Sequence, residues 1–389
     1  MNEKSKKIGV IGAGIIGTSV AYHLGKAGAR VTVFDVGDPG NGVSSTSFSC
    51  LNAFGQPETH LKFRLDAIKY HGALAREIRS ERHLHITGTL RLASSAKEAA
   101  KLNQSAKMLR EYGSRVEAIA PAAASRLEPG INSHSASERV LVPEEGWVNA
   151  RALCEALINA STKQFDVQYR REHVVGFDSR GSKVRVGHMM GTEVFDSLVL
   201  AAGNDTNALL TLAGIAPLRL STEPGPLVEL SGGVGPHSLR HVVYADKLHV
   251  RQGDHGGVLA GVAALEADAS LVERMEAERL SLVNSGCQWV IHFAEMQRKW
   301  TVGFRPMPAD GRPMIGALDE EHTIYVAVMH GGITLGPLAG RLLASEMIEK
   351  RNAVELRDYR PRRYIAQEAD WRQQATRAGQ LNVASKSSE

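Results

Sequence analysis

The chain has 389 residues, 43% of them hydrophobic and 23% charged, with 46 Lys and Arg against 42 Asp and Glu for a net charge of +4. This is a globular composition on a length that exceeds one core, so two domains or a discontinuous pair are expected. A nearly balanced charge and the lack of an uncharged apolar run of about 18 residues argue against a nucleic-acid binder and a membrane span.

The first predicted elements are the most informative. Ile8-Gly9-Val10-Ile11 reads as a strand, Gly12-Ala13-Gly14-Ile15-Ile16-Gly17 as a turn opening a helix, and Val31-Thr32-Val33-Phe34-Asp35 as a second strand. In this dinucleotide fingerprint Gly12 permits the tight turn, Gly14 lets the backbone approach a pyrophosphate, Gly17 lets helix and sheet pack, and the helix amides face the phosphates. Asp35 ends the second strand 18 residues past Gly17, near the spacing of about 20 expected for a carboxylate on a ribose 2′-hydroxyl. Lys4, Lys6 and Lys7 before this apolar stretch imitate a secretory leader, but the glycine spacing argues against one.

Val43 to Cys50 is small and hydroxyl-rich, suited to a diphosphate or to a self-capping loop. A helical pattern follows through Leu65, Ile68 and Leu74. Gly88–Leu92 reads as a strand, Lys97–Tyr112 and Arg151–Ser161 as helices, and Val167–Phe177 with Lys183–Val186 as strands. Ser197-Leu198-Val199-Leu200-Ala201-Ala202-Gly203 suggests a nucleotide-binding sheet re-entered late. From Pro217 to Trp300 alternation predicts an antiparallel sheet, with a helix near Leu271 to Leu282. Cys50, Cys154 and Cys287 fit neither a disulfide framework nor a zinc site, and a reducing cytoplasm is expected. Arg357, Arg360, Arg362 and Arg363 read as a solvated face, and the polar tail from about Thr376 is expected to fray.

The C-terminal third carries Gly303-Phe304-Arg305-Pro306, Asp310-Gly311-Arg312-Pro313-Met314-Ile315-Gly316 and His330-Gly331-Gly332-Ile333-Thr334-Leu335-Gly336-Pro337. With the fingerprint and the Ala-Ala-Gly strand, these motifs resemble the FAD-dependent amine oxidoreductases of the D-amino acid oxidase family, nearest its glycine oxidase, sarcosine oxidase and amino-acid dehydrogenase branches. The resemblance implies an α/β fold. A discontinuous Rossmann-like FAD-binding domain (1–86, 145–217 and 301–389) would carry a smaller antiparallel-sheet substrate domain (87–144 and 218–300).

It also implies roles for single residues. Gly12, Gly14, Ile15, Ile16, Gly17 and Asp35 would hold the AMP half of non-covalent FAD, Ser45 and Thr46 would sit beside the pyrophosphate and flavin, and Val174 would face adenine. Ala202, Gly203, His330, Gly331, Gly332, Ile333 and Thr334 complete the cofactor set. Pro337 is expected where the next helix begins, its N-terminus toward the flavin N1 and C2 carbonyl. Arg305 would pair with a substrate carboxylate, and Tyr244, His249 and Arg251 are candidate substrate contacts.

The implied reaction moves a hydride from a small amino acid or N-alkyl amino acid to flavin N5, with O2 or another acceptor and without a side-chain base. Three departures stand out. The loop after His330 is two residues shorter than in glycine oxidase, so a side-chain donor is missing there. The position of a Lys in sarcosine oxidases falls near Leu259, and no Cys near Gly303 can tether flavin, Cys287 lying too early. An NAD-dependent dehydrogenase and a flavin-carrying subunit with a partner polypeptide remain alternatives, and self-association is left open.

Overall fold

The computed structural model describes residues 5–232, 239–254, 256–263 and 270–365. The tail from Thr376 lies outside them. Its first sheet orders six strands as Met314–Ala317, Ile324–Val328, Ser197–Leu200, Lys7–Ile11, Arg30–Asp35 and Val167–Arg171. All neighbours are parallel except the Met314–Ala317 edge. Ile8, Val10, Val33, Val199 and Val326 are wholly buried, as strands covered on both faces must be. The chain therefore leaves this layer and re-enters it at Val167, Ser197 and Met314, and the strand before Ala201 lies directly beside the first strand.

The second sheet orders eight strands as Gln297–Pro308, Leu220–Ser231, Val258–Val262, Leu248–Gln252, Val242–Ala245, Thr89–Ala93, Glu138–Val142 and Glu117–Ala118. It is antiparallel with one exception. Val242–Ala245 runs parallel to Thr89–Ala93, because two separate excursions of the chain meet there through a crossover and not through a hairpin. The helix Leu271–Trp289 starts at a Ser270–Glu273 capping box and buries Leu282 and Trp289 with Val228, Leu230 and Val250 of the sheet.

Two expectations are corrected. The boundary expected between 300 and 301 is crossed by the strand Gln297–Pro308, whose register with Leu220–Ser231 is unbroken from Leu220 opposite Pro308 to Ser231 opposite Gln297. Arg305 thus stands on the second sheet.

The C-terminal helix begins at Gly332, not at Pro337, and runs to Glu349. A proline inside a helix deprives the carbonyl four residues back of its N–H donor. Here that carbonyl is Ile333 O, and the buried ring of His71 donates to it from Nε2 at 2.9 Å, with Thr334 O at 3.1 Å. His71 reaches across from the helix Glu58–Glu77, so the proline is tolerated five residues inside.

The same C-terminal helix lies against the fingerprint helix Ile15–Lys26. Side-chain atoms at Gly332, Gly336 and Gly340 would stand 2.8–3.4 Å from Ile15, Ile16 and Ser19, which is why this face is glycine. No helix among the described residues is long and apolar enough to cross a membrane, and no group of three or more metal-ligating side chains is found among them.

Candidate cofactor and substrate site

The site is assembled where the ends of the two sheets meet, and it starts at the fingerprint turn. Gly12 has φ +104°, and a side chain there would strike Ala201 O; one at Gly17 would strike Gly12 O. These two glycines are demanded by the fold. Gly14 is different: its backbone is extended (φ −69°, ψ −179°), and the only atom near a side chain there is Ser44 Oγ at 3.3 Å. Nothing in the protein itself requires glycine at 14, and the room it leaves lies at the helix N-terminus, where phosphates bind. Asp35 is fixed beside the turn, its Oδ2 accepting from Ala13 N at 2.6 Å and its Oδ1 from Gly37 N at 2.9 Å.

The hydroxyl-rich loop closes over this turn. Ser44, which is buried, accepts from Ile15 N at 3.1 Å, whereas Ser45 is exposed and bonds Gly42 O at 2.9 Å. A run of four hydroxyls, Ser44 to Ser47, cannot reveal which one points inward. Thr46 abuts the second sheet, because its backbone oxygen occupies the space a side chain at Gly303 would need. No cysteine could be seated at 303.

A wall of the second sheet faces this loop. Phe48, Tyr244 and His249 form an aromatic cluster, with Phe48 and His249 ring centroids 4.4 Å apart. His249 is held neutral, its pKa pushed down to about 3 by burial and then by Arg305 and Arg91. Tyr244 is pushed far above its ordinary range, first by burial and then by the neighbouring Cys50 thiol, its hydroxyl being enclosed. Arg305 lies across Gly225 of the neighbouring strand and donates from Nη2 to Pro224 O, while its Nε is buried with no acceptor. Glu223 and Glu278 act on it only through space, and Glu223 is itself paired with Arg274. Arg305 thus has no carboxylate in ion-pair contact among the described residues.

Arg251 is corrected. It is 1% exposed, stacks 4.2 Å over Trp147 and donates to Phe48 O (2.7 Å), Gln252 O (2.6 Å) and Asp254 (2.9 Å). Its Nε and Nη1 are engaged in pinning the Phe48 loop and Asp254, and at this burial it presents no open face to a substrate. Alternation placed it on the wall but could not show what lay opposite.

A family model described as FAD dependent oxidoreductase (DAO) matches residues 7–346. The chain belongs to this family. Glycine oxidase of Geobacillus kaustophilus is 27% identical over 376 residues, covering 92% of this chain and 97% of that one. Its crystal structure superposes with a TM-score of 0.78 at 23% identity, covering 92% and 98%. An opine oxidase subunit of Rhizobium meliloti is 23% identical over 93% of this chain and 98% of its own. The structure of iminodiacetate oxidase from Chelativorans sp. BNC1 gives a TM-score of 0.77 at 22% identity, covering 91% and 98%.

As a DAO-family oxidoreductase the protein uses FAD, and the room in front of Gly14 beside Asp35 fits the dinucleotide half of that group. Val174 opens a strand paired with His188 and is buried among Ile11, Phe34 and Phe177. Ala202 and Gly203, at φ +57°, turn the chain after Leu200. His330 precedes the C-terminal helix, and burial first, then Arg305 and Arg64, lowers its pKa to about 4. Leu259 is buried in the second sheet and Cys287 is exposed on the helix Leu271–Trp289.

Two groups escaped the sequence reading. Glu145, 2% exposed, accepts from Ala53 N, Phe54 N, Thr89 Oγ1 and Arg91 Nη2 at 2.6–2.8 Å. Arg91 is in turn clasped between Phe54 and Tyr244, 4.3 and 4.0 Å from their centroids. This hub ties the loop after Cys50 to the second sheet. Its partners are dozens of residues apart, so no local spacing announces it.

Proposed function

We propose that this flavoenzyme oxidises a small amino acid or N-alkyl amino acid at a carbon bonded to nitrogen, giving an imine that water hydrolyses. FAD, when bound, supplies the hydride acceptor at N5. Arg305 carries the reading: it is a largely buried guanidinium beside His249 and His330 with no carboxylate contacting it among the described residues, and a planar fork of this kind suits a substrate carboxylate. Tyr244 and His249 shape the adjoining wall and exclude water.

The two histidines are too weakly basic to draw a proton at neutral pH. The amine must therefore react in its neutral form, and the neighbouring cation favours that form. The hydride leaves carbon, the nitrogen lone pair completes the C=N bond, and water then releases the amine. The cofactor is read as non-covalent, in keeping with the closed space at Gly303.

The test is anaerobic bleaching of the flavin by a panel of glycine, sarcosine, D- and L-amino acids and iminodiacetate, which is independent of the natural electron acceptor. Bleaching by carboxylate-bearing amines supports the proposal; bleaching only by amines without a carboxylate refutes it. A flavin-carrying component of a larger complex is a second reading, favoured by the similarity to the opine oxidase subunit. Turnover only in the presence of a second polypeptide would establish it.

A further inference from the structure

Four arginines gather around the wall that carries Tyr244 and His249, and their charges do not balance. Arg91 has Glu145 against it and Arg251 has Asp254. Arg305 and Arg64 have no acid in contact among the described residues. Arg64 sits on the helix Glu58–Glu77 and is 6% exposed, and its one hydrogen bond runs from Nη1 to Asn52 O at 3.1 Å. Glu145 acts on it through space, but the oxygens of that acid are taken by Arg91, Thr89 and two amides. Arg305 donates to Pro224 O and leaves its Nε without an acceptor. A buried guanidinium without a partner is costly to keep, and here there are two.

Both border one space. Tyr244 stands opposite Arg91 and His249 in the sheet register, His249 opposite Gly261, Gly261 opposite Leu227, and Leu227 opposite Thr301. These residues share one face, and Arg305, four positions past Thr301, lies on it too. Arg64 approaches from the other layer at the Tyr244 end: Asn52, its acceptor, precedes the Ala53 and Phe54 amides bound by Glu145, and Glu145 holds Arg91 under the Tyr244 ring. Its Nη2 is 2.6 Å from where a side chain at Gly331 would begin, next to His330, on which both Arg64 and Arg305 act. His249 and His330 are neutral and add no charge. The space between the two layers therefore carries two positive charges that no acid in contact answers.

We propose that the substrate is an amine bearing two carboxylates, one received by Arg305 and the other by Arg64. The second carboxylate stands either on the nitrogen arm or on the carbon chain of the amino acid. This rests on the amino-acid reading above and names the substrate class within it. An amino acid with one carboxylate would leave one buried cation unanswered, whereas a dicarboxylate whose amine is neutral brings two negative charges to two positive ones. Each guanidinium presents a planar fork that matches a carboxylate.

The test compares the flavin-replete parent, Arg64→Met and Arg64→Lys. Thiodiacetate and (methylthio)acetate, which differ in the second carboxylate and carry no amine to oxidise, are titrated against the visible absorbance of the flavin. A hydrogen bond to a charged group is worth about 10- to 150-fold in affinity, and the parent should prefer thiodiacetate by roughly that factor. In Arg64→Met the preference should vanish through loss of thiodiacetate affinity at unchanged FAD content. Arg64→Lys keeps the charge without the fork and should retain part of it. No preference in the parent overturns the proposal, and so does an equal loss for both ligands in Arg64→Met, which would place Arg64 against the cofactor alone. Should Arg64→Met fail to fold, full parental preference in Arg64→Lys overturns it. Anaerobic bleaching then locates the second carboxylate: a lower half-saturation for iminodiacetate than for sarcosine puts it on the nitrogen arm, and a lower one for aspartate than for alanine puts it on the carbon chain. No advantage in either pair overturns the proposal and leaves the amino-acid reading standing. No bleaching by any carboxylate-bearing amine refutes that reading instead, and the thiodiacetate titration still decides this one.

Discussion

The contact between His71 and the C-terminal helix gives a prediction that can be worked through. Pro337 leaves Ile333 O without its helical donor, and His71, 2% exposed, supplies one at 2.9 Å. Changing His71 to Leu keeps an apolar body but abandons a buried carbonyl, at a cost of about 1–3 kcal/mol. Restoring the missing amide by Pro337→Ala should make that loss largely disappear, because the alanine N–H can then donate to Ile333 O. The expected double-mutant coupling is about 1–2 kcal/mol. The assay is urea unfolding of all four proteins at one saturating FAD concentration, followed by far-ultraviolet circular dichroism. Equal losses from His71→Leu in both backgrounds would show that the ring is packing only and that the proline is tolerated for another reason.

Further outcomes follow from the same geometry. Burial lowers the pKa of His71 from 6.5 to about 4, so the unfolded chain takes up a proton that the folded one refuses. The stability it supports is intact above about pH 6.5 and falls by about 3 kcal/mol as pH drops to 4, which a thermal-melt series should show and His71→Leu should flatten. Gly14→Val should purify without flavin yet melt like the flavin-stripped parent, while Gly12→Val should not fold; loss of fold in both would remove the distinction between them. Arg305→Ala should raise the dissociation constant of a carboxylate ligand by roughly thirty- to several-thousand-fold, or 2–5 kcal/mol, at unchanged FAD content, with only part recovered in Arg305→Lys. Arg251→Met should instead lower stability by about 1.5–3 kcal/mol, because it takes the donors from Phe48 O and Gln252 O and frees the Phe48 loop; a parental denaturation midpoint would contradict this.

What could be read from the chain alone were features carried by neighbours in sequence. The fingerprint turn, Asp35, and the buried strand before Ala201 declare themselves within a few residues, and alternation around His249 marks a strand. What escaped depends on partners far along the chain. Pro337 looks like a helix start because proline favours that position, and only His71, over 260 positions earlier, makes an interior place acceptable. Arg251 has the same local pattern as a substrate contact, and Phe48, Trp147 and Asp254 decide otherwise. Arg64 is one charged residue on an amphipathic helix until Gly331 is brought against it. The parallel pairing of Val242–Ala245 with Thr89–Ala93 likewise follows from the route of the chain between sheets and not from either strand.

The glycine face of Gly332, Gly336 and Gly340 also fixes an order of events in synthesis. The helix it covers is complete once residue 26 has been made, but its cover is not finished until residue 349. At about 5–20 residues per second the interval is roughly 15–65 seconds, during which the face carrying Ile16 and Ser19 lacks its final cover. The first-made helix is thus among the last to be closed.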